Sequence, residues 1–166
     1  MTSSAFLRIA LLAALAPMAN AADAPLTTAA AVRGLTHQEA ATAKPVRLRG
    51  TVTYPAPNGV IFFVQDETGG ICVRGQREKP ARPDLKVGAL VELEGVTGAG
   101  RALPVVTSRK KDLIRVNVVG EAPLPEPIPA TIAQLALARF EDVRVEVGGV
   151  VRAVEVEPFA GTAETL

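Results

Sequence analysis

Val46-Arg47-Leu48-Arg49-Gly50-Thr51-Val52-Thr53-Tyr54 alternates side-chain character residue by residue. A period of two is the signature of a half-buried β-strand. It places Val46, Leu48, Gly50 and Val52 on one face and Arg47, Arg49, Thr51 and Thr53 on the other. Pro55-Ala56-Pro57-Asn58-Gly59 comes next as a turn, and residues 60–66 (VIFFVQD) predict a second strand with apolar side chains on both faces. Glu67-Thr68-Gly69-Gly70 turns the chain into a third strand at residues 71–74. Residues 75–83 (GQREKPARP) are too charged and too proline-broken for a core element and predict a surface loop. A fourth strand at residues 89–97 sets Val91 and Leu93 against Glu92 and Glu94, with Gly95 as an expected bulge. After a turn at Gly98-Ala99-Gly100, a fifth, broken strand covers residues 103–107 and 113–119. Five strands in meander order agree with the composition, whose 13 prolines, 14 glycines and abundant valine describe many short strands punctuated by turns. The fold class expected is all-β.

Upstream of the first strand, Thr28 caps a helical turn through residues 29–33 that Gly34 stops. Thr36 with Glu39 three residues later has capping-box spacing, so a second short helix is expected before Pro45 switches the chain to strand. Residues 22–45 are therefore a short helical lead-in. Residues 1–21 carry one charge, Arg8, then an apolar run and the small residues Ala19 and Ala21, which reads as an export signal cleaved before Ala22. The alternative is an uncleaved anchor, for which the apolar run is short of the ~20 residues of a membrane span. The expected location is periplasmic or secreted.

Downstream, prolines at 123, 125, 127 and 129 make residues 120–130 an extended, semi-rigid linker. Thr131 and Gln134 repeat the capping-box spacing, residues 132–139 are expected to be helical, and residues 143–156 to open a second alternating strand. Val145-Glu146-Val147-Gly148-Gly149-Val150-Val151 repeats the residue types of Val46-Arg47-Leu48-Arg49-Gly50-Thr51-Val52. A module that opens twice and has room to finish once is expected to be the front of something longer, with residues 131–166 the helix and first strand of a truncated second copy.

The glycine inside strand one, the turn Asp66-Glu67-Thr68-Gly69-Gly70 after strand two and the run Leu85-Lys86-Val87-Gly88-Ala89-Leu90-Val91-Glu92-Leu93-Glu94-Gly95 into strand four resemble an OB-fold. Together with Pro123-Leu124-Pro125-Glu126-Pro127, they resemble the tandem OB-like extracytoplasmic N-terminal modules of bacterial sensor histidine kinases, over residues 26–156. A second likeness is to small periplasmic bacterial OB-fold proteins. The first resemblance implies a five-stranded OB-like β-barrel over residues 46–119 that serves as the sensory or docking region of a signalling protein. The second implies a free-standing binder of nucleic acid, glycan or peptide. Residues 1–166 contain no ATP-binding motif or transmitter region, so under the first likeness any output or membrane attachment would come from a segment further downstream.

Without residues 1–21 the chain has 17 basic against 17 acidic residues, a balance that argues against a general nucleic-acid or membrane-surface binder. One cysteine, Cys72, excludes an internal disulfide, and one histidine, His37, cannot complete a zinc site with it. No nucleophile, base and orienter assemble, so no enzyme activity, cofactor or metal is predicted. Asp66, Glu67 and Asp84 could supply oxygens to a divalent ion, but Asp66-Glu67-Thr68-Gly69-Gly70 is equally ordinary turn chemistry. His37 reads as a solvated residue, and Arg109-Lys110-Lys111, offset by Asp112, as a solvated loop.

With Val60, Phe62 and Val64 inside the barrel, Ile61, Phe63 and Gln65 point outward beside Arg47, Arg49, Thr51, Thr53, Cys72 and Arg74. OB-folds bind through strands two and three, so these nine residues form the candidate ligand or partner face. An exposed ring flanked by arginines could stack a nucleobase. The alternatives are a docked domain or partner protein, or a small ligand or peptide. Cys72 is on this face either covered by a neighbour or as a reactive thiol. An unfinished second sheet would expose strand edges and invite homodimerisation.

Overall fold

Period-two patterning becomes strand wherever a partner strand is available. The computed structural model of the chain describes residues 24–57, 59–75, 85–109 and 113–154. The expected export signal, most of the 75–83 loop, Asp84, residues 110–112 and the end of the expected second copy lie outside the described residues. Strand β1 (Pro45–Pro55) pairs antiparallel with β2 (Ile61–Asp66), which pairs with β3 (Gly69–Arg74). β4 (Ala89–Gly98) pairs antiparallel with β1, and β5 (Val105–Thr107) joins β4 antiparallel and β3 parallel. The ring β1-β2-β3-β5-β4 is thereby closed, an all-β OB-like barrel. β6 (Arg115–Glu121) continues along the β4 edge that β5 began, so the fifth strand is indeed one strand interrupted by a loop.

Closure requires β1 to serve two neighbours. Its first half pairs with β4 up to Thr51↔Leu90 and its second half with β2 from Thr51↔Gln65 onward. Gly50 sits at this changeover, where a Cβ would lie 2.7 Å from the Gln65 carbonyl oxygen and 2.7 Å from Val64 Cγ1. Only a residue without a side chain lets the strands approach this closely. Gly95 is not the expected bulge: β1 and β4 run through it in register, and the irregularities fall between Val52 and Tyr54 and between Leu90 and Val91.

The inward side chains form one core that includes Leu48, Val52, Phe62, Val64, Ile71, Val73, Val91, Leu93 and Val106. Burying each of the larger ones contributes roughly 1.5–3 kcal/mol. Two short helices extend this core. α1 (Ala29–Arg33) adds Ala29 and Val32, with Thr28 as its N-cap and Gly34 as its C-cap. α2 (His37–Ala40) has the complete Thr36–Glu39 capping box. Buried Thr97 ties α2 to β4, its hydroxyl donating to the Ala40 carbonyl (2.7 Å) and accepting from the Lys44 N–H (3.0 Å). Among the described residues no helix is long and apolar enough to cross a membrane.

Beyond β6 the sequence pattern and the structure diverge. The helix expected at residues 132–139 is two 3-10 turns, Ile132–Ala136 and Ala138–Phe140, separated by an extended Leu137. Ile132, Leu135 and Leu137 are exposed, so no buried face supports an α-helix this short. The strand expected at residues 143–156 shortens to β8 (Val145–Glu146), paired parallel with β7 (Ile128–Pro129). Residues 147–154 have no regular structure, and Val150, Val151 and Val154 are exposed. Without a neighbouring strand to complete a ladder, alternation alone does not hold a strand.

Candidate binding surface

The nine residues expected on one outer face fall into four environments. Arg47 lies on the half of β1 that faces β4, directly opposite Glu94, and its guanidinium holds the Glu94 carboxylate, with Nε donating to Oε1 at 2.9 Å. Arg115 on β6 approaches the same carboxylate at 3.6 Å. The Arg47 hydrogen bonds, with the charges of Arg47 and Arg115, hold the Glu94 carboxyl below the usual carboxylate range. This is a solvated cross-strand ladder.

Around Gln65 and Cys72 the outer face of β2 and β3 is covered. Thr51, Gln65 and Cys72 are 7%, 8% and 8% exposed, which corrects their expected outward exposure. The cover over β2 and β3 is the chain itself, at residues 140–144. The Arg144 N–H donates to Gln65 Oε1 at 3.0 Å, and Asp142 Oδ2 accepts the Cys72 N–H at 3.3 Å. A Cβ on Gly70 would meet the Asp142 carbonyl oxygen at 1.7 Å, so the covering segment lies directly on the β3 backbone. Arg33, from the end of α1, clamps this contact by donating Nη1 to the carbonyls of Gly70 (2.9 Å) and Glu141 (2.8 Å). Arg144 adds a hydrogen bond from Nη1 to the Pro125 carbonyl at 2.9 Å, and Phe140 is buried.

The contact sets the electrostatics. Burial, reinforced by the Asp142 charge and opposed by Arg74, pushes the Cys72 thiol up to about 11. Of its two expected states Cys72 is thus the covered one, protonated at neutral pH. Burial also raises the Asp142 carboxyl, against the attraction of Arg33 and the bond from the Cys72 N–H. Asp142 adopts a positive φ of 60°, a backbone state that Asp tolerates better than most residues.

Two hollows flank the covered strip. A small one of 260 Å³ is lined by Thr53, Tyr54, Phe63 and residues 142–144. Tyr54 and the half-buried Phe63 are cross-strand partners with ring centroids 6.2 Å apart, and the hollow they line is shared with Asp142 and Arg144. The larger cleft, 660 Å³, brings Arg49, Thr51 and Gln65 together with Thr27, Thr68 and Pro125. Ile61 and Arg74 pair with each other at the far end of β2–β3 and line neither hollow.

Asp66, beside the cleft, does structural work. Its Oδ1 accepts from the Thr68 N–H (2.7 Å), the Thr68 hydroxyl (2.6 Å) and the Gly69 N–H (3.1 Å), and its Oδ2 accepts from the Ala29 N–H (2.8 Å). Among the described residues no three His, Cys, Asp or Glu side chains converge as a metal site would need. Arg33, Gly70, Asp142 and Arg144 were not among the residues expected on the face. The one trace of their role in the sequence is the glycine pair at 69–70, where a single turn glycine would have sufficed.

No family model matches the chain, and no curated protein does. Among solved structures, the hypothetical protein ygiW from E. coli is 17% identical, with a TM-score of 0.41 over 58% of this chain and 91% of that one. Asparaginyl-tRNA synthetase from Pyrococcus horikoshii, complexed with asparaginyl-adenylate, is 21% identical, with a TM-score of 0.38 over 55% of this chain. The match spans 24% of the synthetase chain. The fold assignment stands on strand order and barrel closure.

Proposed function

We propose that this chain is a non-enzymatic, exported OB-like docking module whose β2–β3 face is a seat for polypeptide, occupied here by its own residues 140–144. The observation that carries the reading is the contact of residues 142–144 with Gly70, Cys72 and Gln65. A seat built from a backbone-to-backbone approach at Gly70, one main-chain donor (the Cys72 N–H), one side-chain acceptor (Gln65 Oε1) and an arginine clamp suits a peptide segment. It suits a nucleobase poorly, because Asp142 lines the same hollow as the Tyr54–Phe63 ring pair. In its finer form the reading makes the barrel the extracytoplasmic input region of a sensor histidine kinase-like protein, coupled through residues 120–130 to a domain downstream. The order of barrel, proline linker, capped turn and valine-rich stretch supports that form, and the reading frame beyond Leu166 tests it. The export signal at residues 1–21 supports the location, which cell fractionation would test.

Cys72 is a built-in reporter for the docking. In the folded wild-type chain its thiol should resist a soluble disulfide reagent, and Gly70→Val, which cannot accommodate Asp142, should make it react as an accessible thiol. Arg33→Ala should act in the same direction through loss of the clamp. A wild-type thiol that reacts as fast as in the unfolded chain would refute the docking.

A further inference from the structure

The cleft beside Arg49 contains an unfinished sheet edge. Hydrogen bonding alternates along a strand: the Lys44 carbonyl bonds Thr97 on β4, while the Pro45 carbonyl and Arg47 N–H bond Leu26 on the opposite edge at 2.9 Å each. By the same alternation the main-chain groups of Arg49 turn to that opposite edge. Leu26 bridges β1 only around Val46, and the β2 register starts at Thr51↔Gln65. The Arg47 carbonyl and the Arg49 N–H and carbonyl are therefore left between two partners, and among the described residues neither Leu26 nor β2 reaches them. Arg49 lines the 660 Å³ cleft whose other wall is Thr27 and Thr28, and Arg47 lines an adjoining hollow together with Thr27 and Arg49.

We propose that this edge binds a short extended peptide bearing a carboxylate, which completes the gap between Leu26 and β2. Acceptor, donor and acceptor in strand spacing match a peptide backbone and little else. Arg49 is the cation among the described residues lining the cleft and is exposed, whereas Arg47 is engaged by Glu94. A guanidinium free to form two parallel bonds selects a carboxylate. Among the described residues the cleft has two carboxylates of its own. Both oxygens of Asp66 accept hydrogen bonds from Ala29, Thr68 and Gly69, and the exposed Glu67 forms no ion pair with Arg49, so a ligand carboxylate competes with Glu67 alone. Leu90 and Pro125 supply an apolar wall for a side chain.

The test titrates the whole chain with acetyl-Ala-Val-Ala carrying a free C-terminal carboxylate and tracks backbone amide shifts by NMR. Saturable shifts are expected at Arg49 and Thr51. Amidation of the peptide and Arg49→Gln should each weaken binding about tenfold without adding to one another, as loss of one charge-assisted pair requires. Methylation of the central peptide nitrogen should abolish binding, and Arg115→Gln should leave it unchanged. Absence of shifts at millimolar peptide, or binding indifferent to N-methylation, overturns the proposal. So does a short oligothymidylate that shifts the same amides with steep salt dependence, which would assign the edge to nucleic acid. The edge is set by β1, β2 and Leu26, so shifts that persist in Gly70→Val keep this proposal distinct from the docking reading.

Discussion

Gly70 and Asp142, 72 residues apart in the chain, lie so close that a methyl group on Gly70 would stand 1.7 Å from the Asp142 carbonyl oxygen. No side-chain rotation relieves a collision between a Cβ and a backbone oxygen, so one of the two segments must move. Gly70 is held in the β2–β3 ladder opposite Gln65, and Asp142 belongs to a short connection. Any substitution at Gly70 should therefore displace residues 140–144 and leave the barrel standing. Hydrogen exchange would show it as lost protection at the Cys72 and Arg144 amides of Gly70→Ala, with the Val64 and Val91 amides unchanged. Loss of protection throughout β1–β4 would mean instead that the segment is part of the barrel's own stability.

The thiol of Cys72 should be slow for a chemical reason as well as a steric one. Raising it from 9.0 to about 11 lowers the thiolate fraction at neutral pH by about a hundredfold. Alkylation by iodoacetamide should keep accelerating with pH beyond the point at which an ordinary cysteine levels off. A plateau near pH 9 would contradict the burial of the thiol, and with it the proximity of Asp142.

Asp142 makes the docked state proton-dependent. Its folded carboxyl lies above the unfolded value of about 3.9, so the folded state holds its proton more tightly. The stabilisation from that proton is full below the unfolded value and is lost as pH rises through the raised one. Asp142→Asn, which keeps an acceptor for the Cys72 N–H and tolerates the positive φ, should flatten this dependence. Near neutral pH it should equal or exceed the wild type in stability. Urea midpoints measured from pH 4 to pH 7 would decide; a mutant that loses stability at neutral pH would mean that the Arg33 attraction outweighs burial.

Removing the carboxylate of Asp66 should cost more than an average surface change. Its four accepted bonds order the β2–β3 turn and the first turn of α1 at once. Asp66→Ala should lower stability by about 2–3 kcal/mol, the range for a charge-assisted hub and a cap lost together. Asp66→Asn should fall between it and the wild type. A loss below about 0.5 kcal/mol in denaturant titration would be that of an ordinary surface site.

Gly50→Val tests the strand changeover. Its new side chain would press on the Gln65 carbonyl and Val64 Cγ1, both at 2.7 Å. Overpacking of this kind costs about 1–3 kcal/mol, and the contact with backbone places it at the upper end. The expected signature is a lowered melting temperature, with the largest NMR shift changes at Thr51 and Gln65. A neutral mutant would mean that β1 does not coil between β4 and β2 at this residue.

The barrel was legible in the sequence because its strands carry their instructions locally. Alternation in β1 and β4, the Thr36–Glu39 box and the Thr28 cap each need only a few neighbouring residues to act. The candidate face was not legible in the same way. Whether Thr51, Gln65 and Cys72 face water is decided by what covers them, and over β2 and β3 the cover comes from Asp142 and Arg144, 70 residues or more away. The valines of residues 145–154 mislead for a related reason. Their spacing states how a strand would orient its side chains, while pairing depends on a partner, and β7 offers a ladder of two residues.

That two-residue ladder has a consequence for competition. Ile128–Pro129 and Val145–Glu146 pinch the chain together, so residues 130–144 form a closed loop whose root is fixed to the barrel by the Arg144 N–H on Gln65 and tied to Pro125 by the Arg144 guanidinium. Within such a loop the segment meets its seat at an effective concentration on the order of millimolar or above. Its intrinsic grip on Gly70 and Cys72 can be weak while the seat stays filled. A foreign peptide would have to displace a resident that never diffuses away, whereas one cut between Leu137 and Ala138 would turn that resident into an ordinary solute and open the seat at micromolar protein.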